Sequence, residues 1–216
     1  MPTYKHIIFD LDGTLTNSRT GIVNAALYAL KKMGITHPPV VELNNLIGIP
    51  LQEYLQITGN LKVTEIEMAV KEYRKYYGKK GAFENEAYPG IPELLNALVK
   101  NGKNIYISTA KYEKYARVVV DYFSLLPFIK DLVGADAEGI YATKSELAAK
   151  IISRNEINDL LHTVVVGDKH MDIKAGHDNG IDSIGVTYGF GSLDELEKEK
   201  PTYIAESVNE LKDILV

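Results

Sequence analysis

Five short apolar runs punctuate the sequence: HIIF (6–9), NIYIS (104–108), DLVGA (131–135), TVVVG (163–167) and DSIGVT (182–187). They do not alternate apolar with polar residues, as a strand with one wet face would. Uninterrupted runs of this length suit strands covered on both faces, the situation in a parallel sheet. Helical spacing fills the intervals. Ile91, Leu94, Leu95 and Leu98 fall on one helix face, as do Leu147, Ile151 and Ile152. This alternation predicts an α/β fold: a Rossmann-like parallel-sheet core with helices on both faces. Open sheets of this kind bind ligands beyond the carboxyl ends of their strands, so the residues that follow each apolar run carry the functional information.

One stretch breaks the alternation. Residues 17–85 hold three helical patterns and no strand: Ile22 to Met33, stopped by Gly34; Leu43–Ile47 continuing as Leu51–Ile57 around GIP; and Thr64–Tyr77, ending in YYGKKG. The expected organisation is therefore a core formed by 1–16 and 86–216, with 17–85 as an inserted helical domain. The loops LTNS (15–18) and GAFENEAYPG (81–90) would be its hinges.

The first strand ends in two carboxylates, Asp10 and Asp12, followed by Gly13 and Thr14. Strand alternation would point both acids to one side. Neighbouring carboxylates repel unless a cation stands between them or one keeps a proton. A hard divalent cation, Mg²⁺ above all, uses one or two protein carboxylates together with substrate phosphate. Gly13 permits a tight turn, and its amide and that of Thr14 are candidates to face an anion. The alternative is a solvated acidic turn.

A second acidic pair, Asp168 and Asp172 in GDKHMD, follows the strand at 163–167. The four-residue spacing places them about one helical turn apart. Metal binding competes here with simple capping of a helix N-terminus. At the end of NIYIS stand Ser108 and Thr109, with Lys111 just after, beyond Ala110; the hydroxyls suit a phosphate oxygen or an ordinary N-cap. Lys144, ahead of a helical pattern, either balances carboxylate and phosphate charge or is solvated. His170, between the second pair of acids, reads as a surface residue.

Several chemistries are excluded. The 216 residues contain no cysteine, so disulfides, thiolate metal sites and cysteine nucleophiles are absent. No GxxxxGK[ST] loop, GxSxG elbow or HExxH pair occurs. A net charge of −5 offers no basic surface for nucleic acid or anionic lipid. No segment approaches a membrane span and the start lacks a signal-like apolar run, which predicts a cytoplasmic protein.

Taken in order, DLDGTLT (10–16), Ser108-Thr109, Lys144 and GDKHMD (167–172) resemble the four motifs of the haloacid dehalogenase superfamily. The helical insert is similar to the small cap of one subfamily. RTGIVNAALYALKKMGI, GIPLQEYL and IGVTYGFGS resemble phosphoglycolate phosphatase-like hydrolases within it. Dehalogenases proper lack the second aspartate of DxD, so Asp12 points to phosphate chemistry. Asn17 departs from the acidic residue that many relatives place before the serine, which touches the hinge and not the chemistry.

The resemblance implies a Mg²⁺-dependent phosphatase for a small phosphorylated metabolite. Asp10 would be the nucleophile, forming an aspartyl-phosphate, and Asp12 the general acid and then base. Mg²⁺ would be held by Asp10, the Asp12 backbone carbonyl and Asp168. Thr109, favoured over Ser108 by the lysine two residues on, would bind the phosphoryl group with Lys144, and Asp172 would support Lys144 or the metal. Substrate choice would lie in the cap, among Arg19, Asn24, Gln52 and Tyr54, while the YRKYYGKK run reads as a solvated amphipathic helix. Phosphoglycolate-like esters lead. Nucleoside 5′-monophosphates, pyrophosphate and, as a different class, a phosphosugar mutase or a non-catalytic phosphate-binding module are alternatives. A monomer or homodimer is expected.

Overall fold

The computed structural model describes residues 3–36, 47–136 and 143–216, which divide into two compact units, Met1–Asn17 with Ala87–Val216, and Ser18–Glu86. The 43–46 part of the second helical pattern lies outside the described residues, as do 139–142 just ahead of Lys144.

Chain order begins with β1 (His6–Phe9) and passes into the helical unit: α1 (Arg19–Lys32), α2 (Leu51–Gly59) and α3 (Val63–Tyr76), extended by a π-helical turn at Tyr77–Gly81. Ala25, Ala26, Ala29 and Leu30 of α1 are buried, as are Ala69, Val70 and Tyr73 of α3. The tyrosine-rich run is only half solvated, because Tyr73 and Tyr77 are buried with their rings stacked 5.7 Å apart. Of the residues offered for substrate choice, Tyr54 is buried and Asn24 donates from Nδ2 to Glu84 Oε2 at 3.1 Å.

The other unit continues with α4 (Ile91–Lys100), β2 (Asn104–Tyr112), α5 (Glu113–Tyr122), β3 (Ile129–Ala135), α6 (Lys144–Arg154), β4 (Thr163–Gly167), α7 (His170–Asn179), β5 (Asp182–Val186), α8 (Leu193–Lys198), β6 (Tyr203–Ala205) and α9 (Val208–Leu215). Six of its strands form one sheet in the order β3-β2-β1-β4-β5-β6, and every pairing in that sheet is parallel. β1 is central: His6 lies opposite both Asn104 and Thr163, and Phe9 opposite both Ile107 and Val166. The continuous apolar runs are explained by this position, since Ile7, Ile8, Phe9, Val164 and Val166 are fully buried. On one face Leu147 and Ile151 of α6 pack against Ile8, Tyr106, Val133 and Val165. The short edge strand β6 is a sixth strand that the apolar runs did not announce.

β2 runs on to Tyr112 instead of stopping at Ser108, with an irregularity in its pairing between Thr109 and Tyr112. The carboxyl ends of β1, β2 and β4 lie side by side, and this juxtaposition brings distant parts of the sequence together.

Candidate active site

Asp10 follows β1 directly, its amide donating to Val166 O at 2.8 Å and so extending the ladder. The chain then turns. Leu15 and Thr16 amides both reach back to the Leu11 carbonyl at 3.0 Å, and Gly13 N donates to Thr16 O at 2.8 Å. The Gly13 amide and the Thr14 amide, which bonds Leu11 O at 3.4 Å, are used inside this turn and do not face an anion. Gly13 has φ +88°, and a Cβ there would overlap the Asp168 carboxylate, so the position requires glycine. Thr14 contributes its hydroxyl, which donates to Asp168 Oδ1 at 3.2 Å.

Asp168, at the end of β4, is 0% exposed. It does not cap α7. Its Oδ2 accepts instead from the Phe190 amide at 2.8 Å and the Gly191 amide at 3.3 Å, in the loop after β5. The start of α7 is held by Asp172, whose Oδ2 accepts from Lys169 N at 3.1 Å. The loop after β5 crosses the turn after β1 closely: a Cβ on Gly189 would overlap the Gly13 carbonyl oxygen. Tyr188 pins the same crossing, donating from its hydroxyl to Thr14 O at 3.1 Å and setting its ring edge-on to Tyr88.

Lys144 is the first residue of α6, behind a capping box in which Thr143 Oγ1 accepts from Glu146 N and Glu146 Oε2 accepts from Thr143 N. It is not solvated. Only 8% exposed, it sets Nζ 2.6 Å from Asp10 Oδ1 and 2.8 Å from Asp172 Oδ1.

Neither Ser108 nor Thr109 caps a helix, since α5 begins only at Glu113. Both are buried. Ser108 Oγ has no hydrogen-bond partner among the described residues, whereas Thr109 Oγ1 accepts from Lys111 N at 3.3 Å. A hydroxyl that accepts at one lone pair keeps its proton to donate elsewhere. Lys111 closes the site with Nζ 2.5 Å from Asp12 Oδ2. Asp12 therefore faces a different ammonium from Asp10. The strand has ended at Phe9, so alternation no longer governs where Asp12 points. His170 is outside the cluster, bonded through Nδ1 to Glu195 Oε1 at 2.6 Å on the surface.

The electrostatics follow from burial. Carboxylate oxygens of Asp10, Asp168 and Asp172 lie within 4.8 Å of one another. Burial pushes Asp10 up to about 7; Lys144 opposes this, and the Asp172 and Asp168 charges add to it. Burial likewise raises Asp168 to about 6, with Asp172 adding and the Phe190 amide opposing. For Lys144, burial works against the charge, but Asp10 and Asp172 outweigh it and hold the ammonium protonated. Three buried carboxylates share one directly paired ammonium, a deficit of positive charge that a divalent cation matches. The donors are all hard oxygens, as Mg²⁺-type ions prefer. Asp172 belongs to this cluster by geometry, while the Asp12 side chain does not.

The family model of the haloacid dehalogenase-like hydrolases matches residues 7–186. The chain is a haloacid dehalogenase-like hydrolase. A 5′-nucleotidase from Pseudomonas aeruginosa is 35% identical over 98% of this chain and 96% of its own length. The tyrosine-protein kinase PtkA of Mycobacterium tuberculosis is 31% identical over 97% of this chain and 72% of its own. A phosphoglycolate phosphatase from Vibrio vulnificus is 27% identical over 98% of this chain and 96% of its own. The crystal structure of a Clostridium difficile protein, provisionally named a phosphatase, superposes with TM-score 0.91 at 35% identity over 100% of both chains. The family match and the likeness to the nucleotidase and the phosphatases make this hydrolase a phosphoric monoester hydrolase with the superfamily's α/β core. Among the described residues no helix is long and apolar enough to cross a membrane.

Two features of the site escape sequence reasoning. Lys111 is visible there only as a lysine two residues beyond a hydroxyl pair; nothing in its spacing names Asp12 as its partner. TYGFGS (187–192) carries a likeness to relatives, but the use of its amides to hold Asp168 depends on a loop crossing between β1 and β5.

Proposed function

We propose that this hydrolase cleaves small phosphomonoesters through an aspartyl-phosphate on Asp10, with Mg²⁺ as its cofactor. One observation carries the reading: Asp10 stands buried at the end of the central strand with Lys144 on one oxygen and Asp168 and Asp172 beside it. Asp10, Asp168 and the Asp12 backbone carbonyl would hold the ion, with Asp172 behind them. Its contribution when bound is positive charge beside the phosphoryl group.

The rest of the reaction belongs to the side chains. The Asp10 carboxylate attacks phosphorus, the ester P–O bond breaks, and the departing oxygen takes a proton from Asp12. Water then attacks the acyl phosphate, Asp12 receives its proton, and Asp10 is regenerated as phosphate leaves. Splitting the displacement in two replaces one difficult step by two easier ones, and the acid of the first becomes the base of the second. Charge accumulates on the equatorial phosphoryl oxygens, which Lys144 and the Thr109 and Ser108 hydroxyls are suited to receive.

Nucleoside 5′-monophosphates are the first substrate class to test, supported by the greater likeness to the 5′-nucleotidase, 35% against 27% for the phosphoglycolate phosphatase. Phosphoglycolate is the second. The experiment is phosphate release with Mg²⁺ from nucleoside monophosphates, phosphoglycolate, sugar phosphates and pyrophosphate, by the native chain and by Asp10→Asn. Strong release from one ester, lost in the variant, supports the reading. Release from none, or release that survives Asp10→Asn, contradicts it.

A further inference from the structure

We propose that Lys111 is a positioning residue for proton transfer: it fixes Asp12 so that Oδ1 alone faces the leaving group. This rests on the reading of Asp12 as the acid that protonates the departing oxygen.

The pairing is asymmetric. Lys111 Nζ contacts Oδ2 of Asp12 at 2.5 Å, while Oδ1 is buried and has no hydrogen-bond partner among the described residues. An ammonium donates and never accepts, so the oxygen it touches is occupied as an acceptor. Any proton on Asp12 then resides on Oδ1, and a proton returned in the second step arrives there. Without this restraint the carboxyl is free to rotate and present either oxygen.

Lys111 is itself fixed. Its side chain is only 6% exposed, which removes most of the freedom of a four-carbon stem. Its amide donates to Thr109 Oγ1 at 3.3 Å, and it sits in the irregular stretch between Thr109 and Tyr112 where β2 slips against β3. Irregularities of this kind, like β-bulges, re-aim side chains beside active sites. A regular strand would give residues 109 and 111 the same face. Here the Thr109 hydroxyl accepts from the Lys111 amide, while the Lys111 side chain reaches Asp12. The same short segment thus serves phosphate binding and proton transfer, through two side chains.

The step at stake is the first. As Asp10 bonds to phosphorus and the ester P–O bond breaks, the leaving oxygen gains the Oδ1 proton and departs as an alcohol, leaving Asp12 as a carboxylate. An aryl leaving group such as p-nitrophenolate departs without that proton, whereas the 5′-oxygen of a nucleoside does not. Loss of positioning therefore falls on alkyl esters. General damage to the fold or to phosphate binding falls on both.

The test measures kcat/KM, which reports events through formation of the acyl phosphate, for adenosine 5′-monophosphate and p-nitrophenyl phosphate. It compares the native chain, Lys111→Met and Asp12→Asn. In Lys111→Met, adenosine monophosphate turnover should fall roughly 10²-fold, and at least about tenfold more than that of the aryl ester. Equal losses on both esters, or no loss on either, overturn the proposal. Asp12→Asn separates the two levels. If it shifts the ratio and Lys111→Met does not, the positioning role fails while Asp12 stands as the acid. If Asp12→Asn leaves the ratio unmoved, the assignment of Asp12 itself has failed, and the proposal with it.

Discussion

The Lys144 ammonium stands 2.6 Å from the Asp10 carboxylate, and both groups are buried. The chain delivers the two from the end of β1 and the start of α6, 134 residues apart, onto the same carboxyl edge of one sheet. Asp12 has a separate ammonium in Lys111. Two carboxylates separated by a single residue are thus tolerated by facing different ammoniums, and because Asp10 shares Lys144 with Asp172, the negative charge left on the Asp10, Asp168 and Asp172 cluster is what a metal would answer.

Removing Lys144 should therefore cost stability as well as activity. Breaking a buried ion pair from one side typically costs roughly 3–5 kcal/mol. Lys144→Met should unfold at markedly lower denaturant concentration, and Lys144→Met with Asp10→Asn should recover part of the loss. Denaturant melts of the three proteins decide it; equal stability of Lys144→Met and the native chain would mean that the pair is energetically idle.

Asp10→Asn should behave in the opposite way. The amide is nearly isosteric, Lys144 keeps Asp172 as a partner at 2.8 Å, and one of three mutually repelling buried carboxylates loses its charge, so the variant should fold and melt at or above the native temperature in metal-free buffer. Its turnover should drop by roughly 10³-fold or more, as for loss of a nucleophile elsewhere. Thermal melts and phosphate-release rates on the same preparations make the comparison.

Stability without metal should depend on pH with a definite sign. Burial raises Asp10 to about 7 and Asp168 to about 6, above their unfolded value near 3.9. The folded state then holds these protons more tightly, so this contribution is present in full below about pH 4 and lost as pH rises through 6 to 7. A cation that binds the ionised carboxylates restores it. Mg²⁺ added to chelator-treated protein should raise Tm more at about pH 8 than at about pH 5. A gain independent of pH would remove these two carboxylates from the metal site.

Gly189→Ala tests the loop that clamps Asp168. Its Cβ would overlap the Gly13 carbonyl oxygen, and overpacking of that kind costs typically about 1–3 kcal/mol. Because the displaced loop carries the Phe190 and Gly191 amides, Mg²⁺ affinity measured by calorimetry should weaken along with Tm. Lower stability with unchanged affinity would show the loop to be only a structural spacer.

Much of this site was legible in the sequence, for a physical reason. Buried strands in a parallel sheet must be apolar throughout, so a polar residue where such a run ends, even one still buried, is placed there for a partner or for chemistry. That singled out Asp10, Asp168, Ser108 and Thr109, and Leu147 and Ile151 identified the helix that Lys144 opens. Local signals failed where partners came from elsewhere. Capping was as good a reading of Asp168 as metal binding, until the Phe190 and Gly191 amides took its oxygen. The Gly13 and Thr14 amides looked free but serve their own turn. β6, with only Tyr203–Ala205, was too short to register as an apolar run. Lys111 sits in an irregular stretch of β2 that no residue spacing announces.

The most direct measurement concerns the covalent step. Asp12→Asn, supplied with Mg²⁺ and p-nitrophenyl phosphate, has a leaving group that departs unprotonated but lacks the base for the second displacement, so the acyl phosphate should accumulate. Mass spectrometry of the acid-quenched protein should find one phosphoryl group on the peptide containing Asp10, released by hydroxylamine and absent when Asp10→Asn is added. Turnover of the ester with no phosphoryl group on that peptide, or with one on a different residue, would contradict nucleophilic attack by Asp10.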